Sequence, residues 1–75
     1  MQCQEFYRGE RITVVTQERT PGSWTSQAEF VIGGRIVRLA GGPEQEYPTE
    51  EEARRAAVST AAAAIDRAQA GRGKP

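Results

Sequence analysis

Two adjacent glycines, Gly33 and Gly34, constrain this chain more tightly than anything else in it. They stand between two runs rich in β-branched and aromatic residues, and a two-residue hairpin loop needs the positive φ angles that glycine adopts without strain. A loop that short leaves a single register. Ile32 pairs with Arg35, which sets Val31 opposite Ile36, Phe30 opposite Val37, Glu29 opposite Arg38 and Ala28 opposite Leu39. One face of the hairpin then carries Trp24, Ser26, Ala28, Phe30 and Ile32 with Val37 and Leu39, and reads as a core face. The other carries Thr25, Gln27, Glu29 and Val31 with Ile36 and Arg38, and there opposite charges stand across from each other, worth about 0.2–1 kcal/mol.

Three strands and a helix follow from local pattern. Arg11–Gln17 is dense in β-branched residues and forms the first expected strand. Thr20-Pro21-Gly22-Ser23 is a turn, Trp24–Ile32 the second strand and Arg35–Ala40 the third. Gly41-Gly42-Pro43 and the acidic loop Glu44-Gln45-Glu46 lead to Thr49-Glu50-Glu51-Glu52, a capping box with Thr49 as N-cap and Glu52 reaching back to it. The helix is expected from Glu50 to about Ala70, with Gly71 as its stop. Its apolar stripe is Ala53, Ala56, Ala57, Thr60, Ala61, Ala64, Ile65 and Ala68, so it should lie close to the sheet, with Phe30, Trp24 and Leu39 filling the space between. Residues 1–9 are polar around the pair Phe6-Tyr7 and are expected to fray; residues 71–75 are expected to be a disordered tail. The expected fold is α+β: a three-stranded antiparallel meander with one C-terminal helix packed on one face, order β-β-β-α, as a single domain over residues 1–70.

Composition bounds the function. A domain of 75 residues buries only about 60% of its unfolded surface, so its stability is modest. The chain has no His, which removes the commonest acid–base group near neutral pH. Cys3 has no imidazole to activate it, and a lone cysteine suits a reducing cytoplasm. Glu44, Glu46, Glu50, Glu51 and Glu52 match no calcium loop, and the last three are already explained by capping and the helix dipole. The glycine pairs lack the lysine and helix start of a phosphate loop. No catalytic residue, metal or cofactor is therefore expected, and the chain reads as a non-enzyme. No apolar run reaches the length of a membrane span, and no basic region precedes an apolar stretch at the start, so a cytoplasmic location is expected. Ten Lys plus Arg balance ten Asp plus Glu, and residues 1–40 hold five Arg against four Glu, so neither half has the surplus that grips nucleic acid.

The sheet face away from the helix is the candidate site. Val15, Val31 and Ile36 would be exposed there, ringed by Thr13, Gln17, Thr25, Gln27, Glu29 and Arg38. An apolar spot on so small a domain suits contact with another protein or a second copy of the chain.

Tyr7-Arg8-Gly9 before the first expected strand, Trp24 and Ala28-Glu29-Phe30 in the second, and Tyr47-Pro48-Thr49-Glu50-Glu51-Glu52-Ala53-Arg54-Arg55-Ala56 at the helix start resemble the plant ethylene-response-factor DNA-binding domain. The strand and helix order is also similar to the arm-binding domains of phage integrases. The resemblance spans residues 7–68 and implies a sheet face that reads the DNA major groove while the helix braces the sheet. On this chain it assigns that face to Arg11, Thr25, Gln27, Glu29 and Arg38. DNA binding is thus the alternative to protein contact.

Overall fold

A computed structural model describes residues 1–41 and 46–72. Four strands, β1 (Gln2–Tyr7), β2 (Glu10–Thr20), β3 (Ser23–Ile32) and β4 (Arg35–Ala40), form one antiparallel sheet in the order β1-β2-β3-β4, and α1 (Glu50–Arg72) follows. The α+β class and the C-terminal helix are as expected. The strand count is corrected from three to four.

The additional strand is β1, in the stretch expected to fray. Its six residues include no β-branched side chain, so local propensity hardly marks it. Pairing makes it: Tyr7 lies opposite Glu10, Phe6 opposite Arg11, and the ladder runs on to Gln2 opposite Val15. Arg8 and Gly9 turn the chain with φ of 50° and 83°, the two positive angles of a primed hairpin turn. Arg8 is the only non-glycine with positive φ among the described residues. Its guanidinium meets Asp66 Oδ1 at 2.8 Å, and its carbonyl accepts a hydrogen bond from Gln69 Nε2 at 3.3 Å. The helix thus holds the turn in place.

The glycine hairpin has the expected register. Ile32 pairs with Arg35 and the ladder continues through Val31–Ile36, Phe30–Val37, Glu29–Arg38 and Ala28–Leu39, with Gly33 and Gly34 at φ of 57° and 80°. Between β2 and β3, Pro21 and Gly22 make the turn, and a register shift between Glu18 and Thr20 gives β2 one extra residue, a bulge. β1 reaches only as far as Val15 and β4 only as far as Gln27, so the β2–β3 ribbon projects past both neighbours.

Helix α1 covers one face. Thr49 caps it as expected: its Oγ1 accepts from the Glu52 backbone N–H at 3.2 Å and donates to the Glu52 carboxylate at 3.2 Å. The helix passes Gly71 and ends at Arg72. Ala53, Ala57, Ala61 and Ile65, each four residues apart, are buried, and the last three form one cluster with Ile12 and Val14 of β2 and Ala28 and Phe30 of β3. With methyl groups as most of the helix's contact surface, backbone and sheet approach closely. Phe30 is in this core and Leu39 packs on it half-buried. Trp24, expected to fill the same space, lies outside the cluster; its backbone instead exchanges hydrogen bonds of 2.7 and 2.8 Å with Tyr47.

Thr16 and Ser26 add polar ties between the layers to those that Asp66 and Gln69 make with the β1–β2 hairpin. The buried Thr16 donates to Glu50 Oε2 at 3.0 Å, and Ser26 Oγ donates to the Ala53 carbonyl at 2.6 Å. Gly41 passes so close to Ser26 that a β-carbon there would collide with Ser26 Oγ. Of the tail expected at residues 71–75, the first two belong to the helix and 73–75 lie outside the described residues, as do residues 42–45, which include Glu44 and Gln45 of the acidic loop.

Candidate functional site

Strand alternation decides what the open face displays. Side chains whose neighbours point into the helix-covered core point the other way, and the register aligns them in rows across the sheet. The first row is Phe6, Arg11, Val31 and Ile36. The second is Gln4, Thr13, Glu29 and Arg38, and the third is Gln2, Val15, Gln27 and Ala40.

The first row concentrates the exposed apolar surface. Phe6 is 69% exposed, Val31 50% and Ile36 65%. With Arg11, Thr13 and Glu29 they line a shallow groove of about 460 Å³. Val31 and Ile36 are direct register partners, as expected. Val15 is exposed too, but stands two rows away, across the polar Thr13–Glu29 row, and lines a separate groove of about 290 Å³ with Gln17, Thr25 and Gln27. Phe6 completes the apolar row, and sequence reasoning missed it because β1 was missed. The signal was present: Arg8-Gly9 as a two-residue turn would have placed Phe6 opposite Arg11.

The residues assigned to DNA all lie on this face, spread over several rows, with Glu29 and Arg38 sharing one. The Arg11 guanidinium carbon sits 5.7 Å from the centre of the Phe6 ring, a cation–π arrangement. Arg38 Nε donates to Glu29 Oε2 at 2.5 Å. Thr25 Oγ1 is 3.4 Å from the Gln17 carbonyl that accepts from it, and Gln27 is exposed beside Val15. The face carries Arg11 and Arg38 with the carboxylate Glu29, β3 standing between those two cations, and Arg19 joins it at the far end of β2, donating to Gln17 Oε1 at 3.1 Å.

On the opposite side the titratable groups serve the scaffold. Tyr7 Oη donates to Asp66 at 2.9 and 3.0 Å, and Asp66 also receives Arg8. The hydrogen bond to Asp66 holds the Tyr7 hydroxyl above its ordinary pKa, with desolvation and the Asp66 charge adding to the effect. Glu50, Glu51 and Glu52 each accept from a different neighbour, Thr16, Arg55 and Thr49, rather than converging on one point. Among the described residues no three His, Cys, Asp or Glu side chains gather where a cation could sit, and Cys3 is a free thiol, half-buried. Among them, too, no helix is long and apolar enough to cross a membrane.

No curated protein and no solved structure matches the chain. A family profile does match, over residues 2–74, nearly from end to end. Its span takes in β1, the rest of the sheet and α1, so the fold described above is the fold of the matched unit. The chain belongs to the family described as Domain of unknown function (DUF6566).

Proposed function

We propose that this domain is a non-enzymatic interaction module whose open sheet face binds another protein. The observation that carries the reading is the row of Phe6, Val31 and Ile36, exposed by half or more of their surface on a face that no other described element of the chain covers. Single exposed aliphatics are ordinary, whereas an aromatic and two aliphatics aligned in one row form a patch, the kind of surface that protein contacts bury. The free thiol of Cys3 fits a reducing cytoplasm as the setting.

A photo-crosslinking side chain in place of Ile36, in cells, tests this. A discrete protein adduct is expected, absent when the same side chain replaces the exposed Glu51 on the helix and lost when Val31→Lys is added. No adduct above the Glu51 control overturns the reading. DNA binding through Arg11, Thr25, Gln27 and Arg38 is the alternative. It requires a salt-dependent mobility shift of duplex DNA that Arg11→Ala and Arg38→Ala reduce. The partners those two arginines already have, Phe6 and Glu29, favour the protein reading.

A further inference from the structure

The geometry points to a second contact surface: the outer edge of β1, with the groove between β1 and α1, takes an extended segment of another protein. The segment adds to the four-stranded sheet as a further strand and places an acidic side chain against Arg54. This surface is separate from the open face and goes beyond the reading above.

The ladder fixes which backbone groups are unpaired. Met1 and Thr16 exchange both of their N–H to carbonyl bonds, at 2.6 and 2.7 Å. In an antiparallel pair such residues alternate with ones whose N–H and C=O point away from the partner strand. Cys3, Glu5 and Tyr7 therefore bond to β2, while Gln2, Gln4 and Phe6 turn theirs outward, where no described strand meets them. Another extended backbone carries donors and acceptors at that same spacing. Native edges are commonly blunted by Lys, Pro or a bulge. β1 has no Lys or Pro, its register runs unbroken, and its one charged side chain, Glu5, faces the helix side. β4, the other edge, carries Arg35 and Arg38.

The helix leaves room beside that edge. α1 packs over β2 and β3, and between it and β1 lies a groove of about 380 Å³ lined by Glu5, Arg54, Arg55, Val58 and Ser59. An added strand directs alternate side chains into this groove, those that stand opposite Cys3 and Glu5. Val58 supplies an apolar wall there, and the arginines supply charge. Arg55 is held by Glu51 at 3.2 Å, whereas Arg54 reaches only Glu5 among the described residues, at 3.9 Å and beyond hydrogen-bond distance. The Arg54 guanidinium thus keeps its donors for a carboxylate that the incoming strand brings. That complementarity names the partner: an extended segment that turns an Asp or Glu and an aliphatic side chain toward the groove.

A random peptide library displayed on phage and selected against the full chain is the test. Selected peptides should share an acidic residue two positions from an aliphatic one, as alternate side chains of one strand require. A synthetic copy should slow hydrogen exchange at the Gln4 and Phe6 amides, read by NMR. Gln4→Pro removes an outward N–H and spares the ladder to β2, so circular dichroism should show the fold kept while peptide affinity falls roughly tenfold. Arg54→Glu should weaken binding by roughly the same factor, and Ile36→Lys should leave it unchanged. Should Gln4→Pro unfold the chain, the exchange measurement and Arg54→Glu still decide. No selected peptide, or one that leaves both amides in fast exchange, overturns the inference. Binding indifferent to a folded Gln4→Pro or to Arg54→Glu does so too. Binding lost with Ile36→Lys puts the peptide on the open face, which overturns the edge and leaves the protein-contact reading above standing.

Discussion

Gly41 shows how a single residue couples loop, sheet and helix. Its N–H donates to the Ser26 carbonyl at 2.9 Å, while Ser26 Oγ donates to Ala53 on the helix. A methyl group at Gly41 displaces Ser26 and with it the bond to the helix. Gly41→Ala is therefore expected to destabilise the fold by about 1–3 kcal/mol, read as a lower urea midpoint. Tyr7 gives a prediction in pH. Its hydroxyl holds its proton more tightly folded than unfolded, since the ordinary value is 10.0 and the bond to Asp66 raises it. That contribution is fully present below pH 10.0 and is lost as pH rises through the higher folded value. Urea midpoints taken on either side of pH 10.0 should fall for the native chain and fall less for Tyr7→Phe, which has no proton there to lose. An equal fall in both would show that the alkaline loss arises elsewhere.

At the scale of elements, the helix and the glycine hairpin each carry their own instructions. Thr49 and Glu52 mark the start of α1 by local hydrogen bonds, and Thr49→Ala is expected to cost about 1 kcal/mol in thermal unfolding. The alanine stripe specifies close approach. Ala57 is fully buried, so Ala57→Leu should overpack the layer and cost about 1–3 kcal/mol despite its added apolar surface. A more stable Ala57→Leu would mean that the layer has room the packing does not suggest. Gly33-Gly34 alone dictate the register from Ile32–Arg35 to Ala28–Leu39, because a two-residue loop has one way to close. β1 is marked in the sequence only by its Arg8-Gly9 turn, and its own residues are nearly silent for the opposite reason. Gln2, Cys3, Gln4 and Glu5 have little preference for extension, and their order comes from pairing with β2 and from the hold of Asp66 and Gln69 on the Arg8 turn.

For the molecule as a whole, one thin core joins sheet and helix. A chain of 75 residues at about 0.05–0.15 kcal/mol per residue has a total stability near 4–11 kcal/mol. Phe30 is the one aromatic ring in the buried cluster, and Phe30→Ala is expected to cost about 3–5 kcal/mol. That is a large part of the total, so near-ultraviolet circular dichroism should show a much lower melting temperature or no cooperative melt. The candidate site also belongs to this scale. Val31 opposite Ile36 can be read from one hairpin, but the row that runs from Phe6 to Ile36 exists only once four strands are side by side.

The sequence by itself determined what short-range chemistry determines: the β3–β4 register, the capped helix, its alanine face and the polar-against-apolar alternation of the hairpin. Glycine dihedrals, capping hydrogen bonds and side-chain period act within a few residues and need no distant partner. Only the tertiary structure decided that residues 2–7 are a strand, that Trp24 sits beside Tyr47 outside the core, and that Phe6 joins Val31 and Ile36 on one open face. Those features arise from pairing between segments, where the ladder and the helix supply the order that the local residues lack.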